Sequence, residues 1–180
     1  MTMRSRSALW LALCLALPFW LGGGADPGVL LELDRERYEL RARDLASGEP
    51  GPRLRVVLGS PAHPTPDGLY PLHVVVWNPS WTPGEVARSF GAEPVGPSSE
   101  GPLGVGKIPF AQNGEISLHG GADPRLLGKP VSLGCARATD TDLRRLASWL
   151  ESRDALLEPV EQASGERHQH FRRPTRVRVR

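Results

Sequence analysis

The chain has 180 residues, 39% of them hydrophobic, and a formal net charge of +2. That suffices for one compact core after removal of any leader, and hardly for two. The charge is uneven, with 14 Lys/Arg against 20 Asp/Glu in residues 25 to 166 but six Arg and no acid in residues 167 to 180. An acidic body gives no basis for a nucleic-acid partner. The basic end suits an anionic surface, whether lipid headgroups or a polyanionic polymer, unless it is only a solvated end.

At the N-terminus Arg4 and Arg6 precede an apolar run from Ala8 to Leu21, followed by Gly22-Gly23-Gly24-Ala25. This is the layout of a secretory signal peptide over residues 1–25, with an uncleaved N-terminal anchor as the alternative. The body is therefore expected to be exported, to the periplasm or cell envelope. Cys14 lies inside the apolar run behind Leu13, where lipoprotein processing needs a small residue. Without the leader Cys135 is the only cysteine, so no intramolecular disulfide is possible in an oxidising compartment.

Short apolar runs follow at Val29 to Leu33, Arg37 to Ala42, Leu54 to Leu58, Leu69 to Trp77, Lys107 to Phe110 and Glu115 to Leu118. They are separated by turn chemistry such as Ser47-Gly48-Glu49-Pro50-Gly51 and Pro64-Thr65-Pro66-Asp67-Gly68, so the fold class is mainly β. From Asn78 to Gly104 the chain is rich in Pro, Gly and Ser, which predicts a long loop covering or bordering a site. Within it Gly101-Pro102-Leu103-Gly104-Val105-Gly106-Lys107 imitates a phosphate loop. Ile108 replaces the magnesium-binding Ser/Thr, and Pro109 stands where a helix should continue, so no nucleotide is expected. Trp77 and Trp81 read as packing residues rather than sugar-stacking ones. His63 and His73 read as ordinary loop and strand residues, and His168 with His170 as a solvated pair lacking a third metal ligand.

The segment from Ser117 to Arg137 carries the chemistry. His119 stands sixteen residues before Cys135. A histidine ending one strand and a cysteine entering the next could bring imidazole to sulfur, giving a nucleophile with its general base and acid. Gly134 adds no bulk where an oxyanion would sit, so backbone amides around Leu133, Gly134 and Cys135 are candidate donors. The imidazole could be oriented by Asp123 or by a backbone carbonyl such as that of Gly120. Just beyond, Leu143, Leu146, Ala147 and Leu150 share one helical face, and Thr139 with Asp142 fits a capping box, which predicts a helix soon after Cys135.

His119-Gly120, then Gly128, then Ser132-x-Gly134-Cys135-x-Arg137 resembles the signature of the L,D-transpeptidase (YkuD-type) catalytic domain in identity and spacing. Upstream, Val57-Leu58-Gly59, Thr65-Pro66-Asp67-Gly68-Leu69-Tyr70 and Asn78-Pro79-Ser80-Trp81-Thr82-Pro83 look like that domain's strand, TP-x-G and NP-x-W segments. The likeness covers about residues 29 to 152. The chain departs from the commonest motif at Gly121, where Thr or Ser is frequent, and at Leu133, often His or Lys.

The resemblance implies a β-sandwich with one helix after the cysteine. It implies that Cys135 attacks the carbonyl after the third residue of a peptidoglycan tetrapeptide stem, releases D-alanine and passes the acyl group to an amine, with His119 serving both half-reactions. Arg137 would bind a substrate carboxylate or form a structural salt bridge; Ser132 is placed beside the substrate, though a turn-forming role suits it better. No metal or cofactor is implied. The same thioester could instead be hydrolysed, making the enzyme an L,D-carboxypeptidase, and a catalytically silent wall-binding module is a further alternative. The expected organisation is a leader at 1–25, a catalytic domain at 29–157 and a basic, disordered tail at 158–180.

Overall fold

The computed structural model describes residues 26–180. The leader at 1–25, with Cys14, lies outside the described residues. From Val29 the chain forms three strands linked by tight turns, β1 (Val29–Asp34), β2 (Glu39–Asp44) and β3 (Pro50–Arg55), followed by the short β4 (Leu58–Gly59). The Leu54 to Leu58 run is thus split between β3 and β4. The long β5 (Gly68–Trp77) precedes the expected loop, which contains a single-turn helix α1 (Glu85–Ser89) and is pinched by a bridge between Trp81 and Val95. There follow β6 (Gly106–Ala111), β7 (Ile116–His119), β8 (Pro130–Ser132), β9 (Ala136–Arg137), the helix α2 (Asp140–Ser152), β10 (Val160–Glu161) and β11 (Arg167–Val179).

One curled sheet in the order β3-β2-β1-β11-β5-β6-β7-β9 carries most of the domain, with β10 against β11 and a separate β4-β8 pair. The alternation read from sequence is what builds it. Val29, Leu31, Leu33, Leu40 and Ala42 face the core, while Glu32, Arg41 and Arg43 lie on the other face. Helix α2 covers the core with Leu143, Leu146, Ala147 and Leu150, and its N-cap Thr139 accepts a hydrogen bond from the Asp142 amide at 3.1 Å. Burying four such side chains contributes about 1.5–3 kcal/mol for each leucine, which is why a helix of this length is stable here and would not be alone.

The disordered tail is corrected by the structure. Residues 167–179 form a strand inserted between β1, which it meets in parallel, and β5, which it meets antiparallel. Gln169, Thr175, Val177 and Val179 are buried on one face while Arg176 and Arg178 project from the other. Pro174 falls in the register shift between His170 and Thr175, the one place where its missing N–H costs no ladder bond. Arg173 anchors the segment. It donates to both Asp44 oxygens at 2.8 and 3.0 Å and to both Asp26 oxygens at 2.6 and 2.9 Å. The guanidinium holds both carboxyls below the ordinary aspartate range.

Candidate active site

Three neighbouring strands set out the site in two rows. Across β6, β7 and β9, Lys107 pairs with His119 and His119 with Arg137. Two residues back along β7, Pro109 pairs with Ser117, and the Ser117 hydroxyl lies 3.7 Å from Cys135 Sγ. Paired residues share a sheet face, so His119, Ser117, Cys135 and Arg137 stand together on one side. His119 and Ser117 are each only 3% exposed, whereas Cys135 is half-buried.

His119 Nδ1 is 2.7 Å from the carbonyl oxygen of Gly120. A carbonyl only accepts, so Nδ1 carries the hydrogen, and in the neutral ring Nε2 keeps its lone pair. Burial pushes the imidazole down to about 4, against the two backbone carbonyls of Gly120 and Leu103, and the Arg137 and Lys107 cations of the same row reinforce the shift. The ring is therefore neutral at physiological pH and able to accept a proton at Nε2. Of the two orienting groups weighed from sequence, the geometry selects Gly120. Asp123 instead receives the Arg125 amide and guanidinium at 2.6 to 3.1 Å, far from any role at the imidazole.

The Cys135 turn is braced from within. Ser132, fully buried, donates from Oγ to the Cys135 carbonyl at 2.6 Å and accepts the Gly134 amide at 3.2 Å. Ser132 therefore shapes the turn and has no surface to offer a substrate. The Gly134 amide, being given to Ser132, is likewise not free for an oxyanion. Gly134 serves differently, by adopting a φ of +116° that a side chain would resist. Leu133, 47% exposed, and Val131, 50% exposed, turn apolar side chains outward from the segment that leads to Cys135. Arg137 is half-buried, and its Nε has no hydrogen-bond partner among the described residues.

Two contributors were invisible in sequence. Lys107, met there only as the end of a false phosphate loop, faces His119 across β6 and reaches the Ser80 carbonyl at 3.5 Å. Asp140, the first residue of α2, accepts from the amides of Val105 and Gly121 at 3.0 and 2.9 Å. It thereby ties the end of the long loop to the turn that follows His119. Gly120 is what allows this approach, since a Cβ there would come within 2.2 Å of Asp140 Oδ1. The Asn78–Gly104 loop is fixed at its start by Ser80, whose amide and hydroxyl both donate to Glu166.

Other nominated side chains lie apart from this cluster. Trp77 is buried and donates from Nε1 to Gln169 at 2.8 Å, which makes it a packing residue. His168 rests 3.3 Å from Glu166. Two surface clefts, at the β5/β11 irregularity and beside Tyr38 and Thr65, are lined by neither His119 nor Cys135.

Such a β domain, with one principal helix behind a Cys/His pair, defines an L,D-transpeptidase fold. The chain belongs to the YkuD family, the L,D-transpeptidase catalytic domain, whose family model matches residues 30–171. That match runs past the expected end of the domain at 157 and takes in the first part of β11. Among solved structures, the catalytic domain of the E. faecium L,D-transpeptidase acylated by ertapenem is 18% identical with a TM-score of 0.55, covering 87% of this chain and 100% of that one. L,D-transpeptidase 3 from Mycobacterium tuberculosis, in complex with a faropenem-derived adduct, is 16% identical with a TM-score of 0.54. It covers 85% of this chain and 60% of the mycobacterial one. An L,D-transpeptidase from Stackebrandtia nassauensis is 14% identical with a TM-score of 0.51, covering 87% and 57%. The chain thus spans less than two thirds of the longer relatives. At these identities the likeness is one of fold. No curated protein sequence matches.

Proposed function

We propose that this chain is a peptidoglycan L,D-transpeptidase in which Cys135 is the nucleophile and His119 the general base and acid. The observation that carries the reading is the neutral, Nδ1-protonated His119, one pleat along from Cys135 on the same sheet face. In the first half-reaction the thiol turns towards Nε2 and gives up its proton. Sulfur adds to the carbonyl after the third residue of a tetrapeptide stem, and the oxyanion is met by the Cys135 amide, for which the described residues supply no other acceptor. The imidazolium then protonates the departing nitrogen, D-alanine leaves and a thioester remains. In the second half, Nε2 takes a proton from an incoming amine, which adds to the thioester and expels the thiolate, restoring the enzyme.

Lys107 and Arg137 have a further use in this scheme. Both cations disfavour imidazolium, so a substrate carboxylate seated between them would supply binding energy and ease protonation of His119 in the same act. The long loop, whose end is tied through Asp140 to the turn after His119, forms the acceptor wall and excludes bulk water. Transfer therefore prevails over hydrolysis. The test pairs a tetrapeptide donor with rising concentrations of an acceptor stem: cross-linked dimer should dominate, and tripeptide at saturating acceptor would make the enzyme a carboxypeptidase.

The protein works in the cell envelope after export. There the arginines once read as a tail act from a rigid sheet. Arg176, Arg178 and Arg180 share the solvent face with Arg41, Arg43 and Arg53, against Glu32 and Glu39. This face binds an anionic lipid surface or wall polymer in a salt-dependent way. Reversing Arg176 and Arg178 to Glu should release the protein from anionic vesicles without loss of fold, and unchanged binding would dismiss the role.

A further inference from the structure

Among the features outside the reaction scheme above, the hydrogen bonding of the Cys135 sulfur goes furthest. Sγ has two polar neighbours, the Ser117 hydroxyl at 3.7 Å and the Glu115 carbonyl oxygen at 3.6 Å. A carbonyl cannot donate, so the single thiol hydrogen is directed at Glu115. The Ser117 contact must then run the other way, from O–H to sulfur. Ser117 is 3% exposed and its hydroxyl makes no other hydrogen bond among the described residues, so burial without this contact would leave it unsatisfied.

We infer that Ser117 is a positioning residue that holds the Cys135 sulfur in both of its states, while the Glu115 carbonyl parks the resting thiol away from His119. When the proton passes from sulfur to Nε2, the Glu115 contact loses its hydrogen and becomes repulsive, which drives Sγ off the parking position. The Ser117 contact behaves oppositely. Its donor now meets a full negative charge, and charge-assisted bonds are roughly twice as strong as neutral ones. Ser117 thus favours the reactive form of the nucleophile, whereas Glu115 favours the dormant one. No covalent change at Ser117 is involved.

The inference rests on Cys135 being the nucleophile, but it can be tested without transpeptidase activity. Alkylation of Cys135 by iodoacetamide, in which sulfur displaces iodide, is followed by intact mass from pH 5 to 10 in the wild type, Ser117→Ala and Ser117→Thr. Loss of a hydrogen bond to a charged atom should slow alkylation of Ser117→Ala at neutral pH by about tenfold and move the acid limb of its pH–rate profile upward. Ser117→Thr, which keeps the hydroxyl, should restore most of the rate. Circular dichroism melts establish that the variants compared are folded. A folded Ser117→Ala with the wild-type profile overturns the inference, as does a Thr variant no better than Ala. Carbapenem acylation on the same samples separates the two ideas. A wild type that is never acylated refutes the transpeptidase reading, whereas the alkylation profiles still decide the role of Ser117.

Discussion

Replacing Asp140 by Ala should damage both stability and acyl transfer, because one carboxylate oxygen joins two segments that flank His119. The two bonds differ in worth. The Val105 amide belongs to a residue only 7% exposed, so losing its acceptor leaves a buried N–H unsatisfied, at about 1.5–3 kcal/mol for a bond to a charged group. The Gly121 amide is exposed and finds water, so its loss costs about 0.5–1 kcal/mol. The expected total is about 2–4 kcal/mol in urea denaturation, with about half of that in Asp140→Asn, which keeps an acceptor but no charge. Function should fall further than a general loosening would produce. The His119–Gly120–Gly121 turn would no longer be tied to the loop end, and displacements near 1 Å cost on the order of a hundredfold in rate. Carbapenem acylation of the folded variant, well below its unfolding midpoint, should therefore slow by about tenfold or more. A fully folded Asp140→Ala that acylates at the wild-type rate would refute the tie between this carboxylate and the imidazole.

Two further outcomes follow from buried charge. Arg173→Ala strands the nearly buried Asp44 with only the Ala46 and Ser47 amides, so unfolding free energy should drop by about 3–5 kcal/mol, and the pair Arg173→Met with Asp44→Leu should recover most of it. Guanidinium-induced unfolding monitored by tryptophan fluorescence checks this, and a loss below about 1 kcal/mol would mean that β11 is held by other means. His119 sets a pH dependence: folding holds its imidazole down to about 4, whereas in the unfolded chain it protonates near 6.5. Between those values the unfolded state binds the extra proton, so stability is complete above about 6.5 and falls as pH drops towards 4, by at most about 1.4 kcal/mol per unit. His119→Gln should flatten that slope in urea titrations at several pH values, and an unaltered slope would assign it to other groups.

Much of the architecture was legible because the residues that face the core repeat at the period of their element. Helix α2 declared itself through Leu143, Leu146, Ala147 and Leu150 with a Thr139 cap, and β1, β2 and β5 through alternation or continuous apolar runs. Strand β11 did not, since arginines fill its solvent face and Gln169 and Thr175 take core positions, so charge density hid a period of two. The strands β8 and β9 are two or three residues long and exist only through their partners. At the candidate site, motif and spacing nominate His119 and Cys135, and the strand register sets them on one sheet face. Ser117, Lys107 and Asp140 were not legible, because each acts through a cross-strand register or a contact far along the chain. The Gly134 amide, a candidate oxyanion donor by sequence, is bonded to Ser132, and Ser132 takes the turn-forming role that suited it better than its place beside the substrate.

Whether Cys135 carries the acyl group is decided by the intact mass of the purified protein, wild type and Cys135→Ala, after incubation with a tetrapeptide stem. The wild type should gain a mass equal to the stem less D-alanine, located to Cys135 by peptide mapping, cleared by an amine acceptor and absent from the Ala variant. A mass gain that persists in folded Cys135→Ala, or none on a folded wild type that also resists carbapenem, would contradict Cys135 as the acyl carrier.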